Sequence, residues 1–352
     1  MTRADRLAEK VAERELDAIV VTNLVNVRYL SGYTGSNGVC VVGPEQRVFF
    51  TDFRYVSQAT EQVSGFERVK GERDLLGDVA QVLHGRAGFE DGSMTVRSHK
   101  RLEGLVGDAA ELVAAGNLVE ELRSVKDESE VRAIRAAAEL ADAALERVLE
   151  RGLAGRTERE VATDLEAEMR SLGAEEPSFP PIVAGGQHGA LPHAEPREQP
   201  IERGVLVTID WGARLDGYCS DCTRTVATGP LDGEAAQVYE LVRAAQQLAE
   251  DAVRAGAGAR DVDAVSREPI AEAGHGDHYG HGLGHGVGLE VHESPRLAPS
   301  SDDTLAAGNV VTVEPGVYVP GRLGVRIEDL VVVTDQGRDV LSGLGKELLT
   351  VG

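Results

Sequence analysis

The spacing of apolar residues sorts the chain into elements before any chemistry is considered. Residues 3–15 carry apolar side chains at helical intervals, and the apolar run 18–22 that follows reads as a strand. A second apolar run, 38–42, leads through the Gly43-Pro44 turn into a strand over 47–51. The Gly/Ser/Asn-rich stretch 32–38 reads as a loop. Alternating helical and strand periods of this kind predict an α/β unit. Tyr33, Asp52 and Arg54 fall at loop and strand-end positions and read as ordinary polar groups rather than the lining of a cleft.

The pattern changes near Glu120. Asp127 with Glu130, and Thr157 with Glu160, have the spacing of helix-opening capping boxes. The first opens an Ala-rich amphipathic helix over 131–150 and the second a helix to about Ser171. A domain boundary is therefore expected near Arg123, giving domains 1–122 and 123–352. Beyond Gly204 two hairpins stand out. Strands over 205–210 and 218–227 flank an Asp216-Gly217 turn, and strands over 309–319 and 324–334 flank Pro320-Gly321. Helices are expected between them at 233–255 and 259–273, so the second domain reads as α+β.

Composition narrows the class. A hydrophobic share of 42% and a charged share of 27% suit a soluble globular chain. A net charge of -23 has the wrong sign for broad nucleic-acid binding or for anionic membranes. No apolar run approaches the roughly 18 residues that span a bilayer, and the charged start at residues 1–11 lacks a secretory apolar segment. A cytoplasmic location is expected. Cys40, Cys219 and Cys222 are too few for a disulfide framework. Cys219 and Cys222 have CxxC spacing, but strand alternation sends positions three apart to opposite faces, so core or pocket-wall thiols are expected.

Four carboxylates sit where burial should be costly. Asp210 and Asp221 lie on the two arms of the first hairpin, and Glu314 and Glu328 on the arms of the second. A charge inside an apolar strand needs a partner or a bound ion, and adjacent carboxylates repel unless a cation or proton lies between them. Between the hairpins runs His281-Gly-Leu-Gly-His285-Gly-Val-Gly, followed by His292-Glu293. Its glycines permit positive φ and close backbone approach, which could hold an imidazole beside the carboxylates. Oxygen ligands with one imidazole favour a hard divalent ion, Mn²⁺ first, with Co²⁺ or Zn²⁺ as alternatives. Four carboxylates have room for two divalent metal ions, which together activate a water and polarise a carbonyl.

Taken in order, Asp210-Trp-Gly212, Asp221-Cys-Thr-Arg-Thr225, the His281–Gly288 segment, His292-Glu293, Glu314-Pro-Gly316 and Arg326-Ile-Glu328 resemble the pita-bread metallopeptidases, in the aminopeptidase P and prolidase branch. The stretch Asn26-Val-Arg-Tyr-Leu-Ser-Gly-Tyr-Thr-Gly resembles the creatinase-type N-terminal domain of that branch. The resemblance implies an α/β creatinase-like N-terminal domain followed by an α+β pita-bread domain. It implies Asp210, Asp221, His285, Glu314 and Glu328 as metal ligands, with Asp210 and Asp221 sharing one ion and Glu328 bridging to the second. His193 and His292 are implied at the scissile bond, His281 and Tyr318 in substrate binding, Arg326 as a further catalytic group, and Glu314 also as a proton shuttle. A homodimer is implied too.

The expected substrate is a small proline-containing peptide, cleaved at its N-terminal Xaa-Pro bond by a metal-bridging hydroxide. No cation placed to hold a free substrate carboxylate is evident in the sequence, so release of the first residue from Xaa-Pro-Yaa peptides is preferred over splitting of Xaa-Pro dipeptides. A creatinase-like metal-free hydrolase and a non-catalytic peptide-binding member are the other readings, and both expect missing ligand residues. A plain methionine aminopeptidase would lack the N-terminal domain.

Overall fold

A computed structural model describes all 352 residues. The chain divides into two compact units, Met1–Arg123 and Ser124–Gly352.

The first unit is built on a six-stranded sheet. Its order is Glu67–Lys70, Arg47–Thr51, Val39–Val42, Ala18–Val21, Gly85–Phe89 and Ala110–Ala114. Val39–Val42 runs antiparallel to both neighbours, and the remaining pairings are parallel. Val20, Val41, Phe50, Val79 and Leu102 meet in one core, and full burial of each such side chain contributes about 1.5–3 kcal/mol. The opening helix, Arg3–Glu13, starts at a Thr2/Asp5 capping box. It stops short of residue 15 because Glu15 turns to φ 54°. The hydrophobic pattern did not announce Glu67–Lys70, a largely exposed edge strand that buries no continuous apolar face. Tyr33 is buried and its hydroxyl meets the Asn37 carbonyl, while Arg54 clamps the Asp52 carboxylate at 2.7–2.9 Å. These three residues serve local structure.

In the second unit both capping boxes form, and they open helices Glu128–Leu149 and Glu158–Ser171. The two helices bury Leu145, Val148, Val161 and Leu165 against Val207, Ile209 and Trp211. The Trp211 indole N–H donates to the Ala141 carbonyl at 2.8 Å, so the largest core side chain leaves no polar atom unpaired.

The first hairpin pairs Leu206–Trp211 with Cys222–Ala227, with Thr223 opposite Asp210 and Thr225 opposite Thr208. Strand alternation turns Val207, Ile209 and Trp211 to the core and leaves Thr208, Asp210, Thr223 and Thr225 on the other face. Beyond Gly212 the hairpin continues as a short separate ladder, Ala213–Leu215 with Tyr218–Cys219. A side chain at Gly212 would meet the Ser220 carbonyl at 2.0 Å, so only glycine permits this crossing.

The second hairpin is also broken. Val310–Val313 pairs with Asp329–Thr334 in a five-stranded sheet, whereas Gly316–Val319 and Leu323–Arg326 form a separate two-stranded ribbon. Glu314 and Glu328 occupy the breaks, as does Asp221 in the first hairpin, so three of the four carboxylates lie beside strands and only Asp210 lies within one. The helices between the hairpins end earlier than expected, at Ala252 and Ile270. The second carries Pro269 and passes into a π-turn, Ala271–His275, which is kinked at Gly274, φ 87°. No helix of the structure is long and apolar enough to cross a membrane.

Candidate active site

The broken hairpins bring four acids and an imidazole to one place. Ligand atoms of Asp210, Asp221 and Glu328 lie within 4.8 Å of one another. The His285 Nε2 is 3.2 Å from Glu314 Oε1 and 3.6 Å from Asp221 Oδ2. One oxygen of Asp210 (Oδ1) and one of Glu328 (Oε1) are buried with no hydrogen-bond partner. Buried unpaired carboxylate oxygens are costly, and two in one cluster mark a place where a cation fits.

The His285 tautomer strengthens that reading. Its Nδ1 lies 3.1 Å from the Gly286 carbonyl, which can only accept, so Nδ1 carries the hydrogen. A neutral ring therefore turns a bare Nε2 lone pair toward the Glu314 and Asp221 oxygens. Lone pairs that face each other repel unless a proton or a metal ion lies between them. In the protein alone it is the proton: burial would push His285 down, but the hydrogen bond and charge of Glu314 raise its pKa above the ordinary value. Burial pushes Asp221 and Glu328 well up, and neighbouring acids add to it. Burial also raises Asp210, against the pull of Arg326. Glu314 moves the other way, to about 2, because the His285 bond and charge overcome its burial.

The glycines around His285 act by close approach. None of those between 280 and 288 has positive φ, contrary to one expectation from sequence. A side chain at Gly284 would meet the Thr312 carbonyl at 2.1 Å, and this contact lets the His285 N–H reach the Thr312 hydroxyl at 3.1 Å.

Arg326 organises the opposite wall. It is 3% exposed and donates to Asp210 Oδ2 (2.6 Å), the Tyr318 hydroxyl (2.8 Å) and the Pro192 carbonyl (3.2 Å). It pairs with neither Glu328 nor Asp329; the Asp329 carboxylate is held by Arg224 at 2.7 Å. His281 Nδ1 donates to the Gly282 carbonyl at 2.8 Å, so its Nε2 accepts from the Tyr318 hydroxyl at 3.0 Å. Hydrogen bonds thus run one way, from Arg326 through Tyr318 and His281 to Gly282. Burial lowers the His281 pKa, which keeps that ring neutral. Both His281 nitrogens are engaged, so the ring presents carbon, not a free donor, to the pocket.

These residues line a cavity of about 600 Å³ that also takes in His193, His292 and Arg296. His193 and His292 are exposed at its mouth, and the His292 ring lies 4.3 Å from that of His285. Burial and the His285 charge lower the His292 pKa. Phe179, Pro180, Pro181, Ile182 and Val291 make an apolar flank. His275 and His278 pair with each other outside the cavity lining, and His188 is buried against Glu158 at 2.8 Å rather than solvent-facing. Cys219 and Cys222 are free, buried and packed in different cores, as strand alternation implies.

Sequence reasoning passed over Arg296, Thr223 and Thr312. The threonines had a visible signal: each stands two residues from an acid, Asp221 and Glu314, the spacing at which strand side chains would share a face. Arg296 had none, since only folding brings its strand to the cavity.

The metallopeptidase family M24 pattern matches residues 132–335, and the creatinase/prolidase N-terminal domain pattern matches 3–125. The chain belongs to metallopeptidase family M24. Its fold is the pita-bread domain preceded by a creatinase-type domain, and the family implies divalent metal ions. The Xaa-Pro dipeptidase of Pyrococcus furiosus is 35% identical, with 99% of both chains covered. Among solved structures, the Xaa-Pro dipeptidase from Bacillus anthracis has a TM-score of 0.95 at 40% identity, covering 99% of both chains. The X-Pro aminopeptidase from Thermotoga maritima has a TM-score of 0.89 at 35% identity, covering 97% of this chain and 99% of that one. This M24 chain thus resembles enzymes of both specificities.

Proposed function

We propose that this M24 metallopeptidase hydrolyses the Xaa-Pro bond at the N-terminus of short peptides, with two divalent ions held by Asp210, Asp221, His285, Glu314 and Glu328. The observation that carries the proposal is the pair of buried, partnerless oxygens on Asp210 and Glu328 in the cluster that the His285 Nε2 faces. Donors that are mostly oxygen favour Mn²⁺, ahead of Co²⁺ and Zn²⁺. Bound ions supply Lewis acidity and a nucleophilic water at neutral pH.

The chain's own residues do the rest. Glu314, beside His285 in the cluster, takes the water proton and returns it to the leaving nitrogen. His193 and His292 flank the scissile carbonyl from the cavity mouth and donate to the oxygen that gains charge. The Phe179–Pro181 flank and the His281 ring carbon accept the pyrrolidine, which has no N–H to satisfy. Tyr318 and Arg326 hold the wall. Acidic surroundings suit the free α-amine of the substrate.

Arg296 favours the dipeptide as substrate. Its guanidinium lines the cavity without an ion-pair partner, and a free substrate carboxylate one residue beyond the bond would meet it. The sequence had pointed to the longer peptide for want of such a cation. We further propose a homodimer in the cytoplasm, and the three free thiols accord with a reducing compartment. The deciding experiment titrates chelator-stripped enzyme with Mn²⁺, Co²⁺ and Zn²⁺ and measures turnover of Xaa-Pro and Xaa-Pro-Yaa. Metal-dependent cleavage abolished by Asp221→Ala is expected; metal-independent cleavage would overturn the proposal.

A further inference from the structure

Two threonine hydroxyls touch the acid cluster in the same manner. Thr223 is fully buried and lies between two charged groups. Arg326 Nε is 3.0 Å from its Oγ1, and that Oγ1 is 2.7 Å from Glu328 Oε2. A guanidinium can only donate, so the hydroxyl accepts from Arg326 and its single hydrogen is left for Glu328, whose ionised carboxylate, the form that takes a cation, can only accept. The Thr223 carbonyl also accepts the Glu328 N–H at 3.1 Å, so one residue holds both the backbone and the carboxylate of Glu328. Thr312 repeats the arrangement in the other hairpin. Its hydroxyl accepts from the His285 N–H at 3.1 Å and donates to Glu314 Oε1 at 3.0 Å.

The direction of these bonds has a consequence for the acids. With Oε2 of Glu328 committed to Thr223, the oxygen left over is the buried, partnerless Oε1. Asp210 is treated alike, since Arg326 takes Oδ2 and leaves Oδ1 bare. Arg326 thereby sets both carboxylates, one directly and one through Thr223. Valine has nearly the shape of threonine but can neither accept from Arg326 nor donate to Glu328.

We infer that Thr223 and Thr312 are positioning residues for a divalent ion: Thr223 selects which oxygen of Glu328 is open to it, and Thr312 holds the Glu314 oxygen that faces His285. This inference rests on the metal-dependent reading above. Groups that fix ligand orientation in this way change metal affinity by roughly 10–100-fold when removed.

The test compares wild type, Thr223→Val, Thr223→Ser and Thr312→Val after chelator treatment. Mn²⁺ binding is followed by calorimetry, metal-free melting by circular dichroism, and kcat and KM at saturating Mn²⁺ on an Xaa-Pro dipeptide. Thr223→Val and Thr312→Val should each weaken Mn²⁺ binding by about 10–100-fold, while Thr223→Ser, which keeps the hydroxyl, stays near wild type. At saturating Mn²⁺, kcat should fall while KM holds. Wild-type-like Mn²⁺ affinity in folded Thr223→Val would overturn this inference alone, as would a loss in Thr223→Ser equal to that in Thr223→Val. A wild-type chain that takes up no divalent ion would overturn the metal reading together with it.

Discussion

Arg326 Nη2 lies 2.6 Å from Asp210 Oδ2, in an ion pair whose two side chains are 4% and 14% exposed. The pair commits one Asp210 oxygen and leaves the other bare in the acid cluster. Removal of one partner from a buried pair typically costs about 3–5 kcal/mol. Arg326→Leu should therefore melt well below wild type in the presence of chelator, and Mn²⁺ should restore part of the loss by supplying positive charge. Thermal scans with and without Mn²⁺ check this; an unchanged melting temperature would contradict it.

Tyr318 connects Arg326 to His281, and its hydroxyl is the sole donor to the His281 Nε2. In Tyr318→Phe the ring stays packed while one hydrogen bond at each end is lost, a change of about 1–3 kcal/mol in folding stability. With the His281 ring no longer held, the proline side of the pocket loosens. Steady-state kinetics should show a fall in kcat/KM of about tenfold, equivalent to roughly 1.4 kcal/mol, carried partly by KM. A kcat/KM equal to that of wild type would show that the relay has no part in catalysis.

Without metal, stability should fall as pH rises. The folded His285 binds its proton more tightly than the unfolded residue, so its contribution is complete below about pH 6.5 and is lost as pH climbs through its raised folded value. Asp221 and Glu328 act with the same sign. The fold retains protons that the unfolded chain releases above about pH 4, so their negative charges are forced on the fold only as pH rises. Glu314, lowered to about 2, works oppositely, and its contribution disappears only in acid, as pH falls from its unfolded value toward 2. Melting temperatures in chelator should therefore decline from pH 6 to pH 9, and Mn²⁺ should flatten the profile. A chelated protein that grows more stable over that interval would refute the account of the cluster.

Arg296→Ala should distinguish the two peptide classes. Loss of a cation facing the substrate carboxylate should raise KM for an Xaa-Pro dipeptide by about 10–100-fold, which corresponds to roughly 1.4–2.8 kcal/mol. An Xaa-Pro-Yaa tripeptide, whose carboxylate lies one residue further out, should change little. Equal effects on both substrates would assign Arg296 to general electrostatics, not to recognition.

The secondary structure that the sequence announced is the part written in local rules. The Thr157/Glu160 capping box forms where its spacing placed it, because a cap is satisfied within four residues of chain. The hairpin arms were legible because alternation separates a core face from a polar face, and Asp210 was visibly out of place in an otherwise apolar strand. The edge strand Glu67–Lys70 was illegible for the converse reason, since an exposed edge needs no apolar pattern.

By itself, then, the sequence determined the element types, the family and the identity of the acids whose burial had to be answered. Only the tertiary structure decided which oxygen of each acid is engaged, that both nitrogens of His281 are occupied, and that Arg296 faces the cavity. Those facts depend on contacts between separate elements, such as the approach of Arg326 to Asp210, 116 residues away in the chain, within 3 Å. Residue order carries no direct record of such distances. They follow from how the broken hairpins pack, and a hydrogen bond's direction becomes readable only when donor and acceptor are in contact.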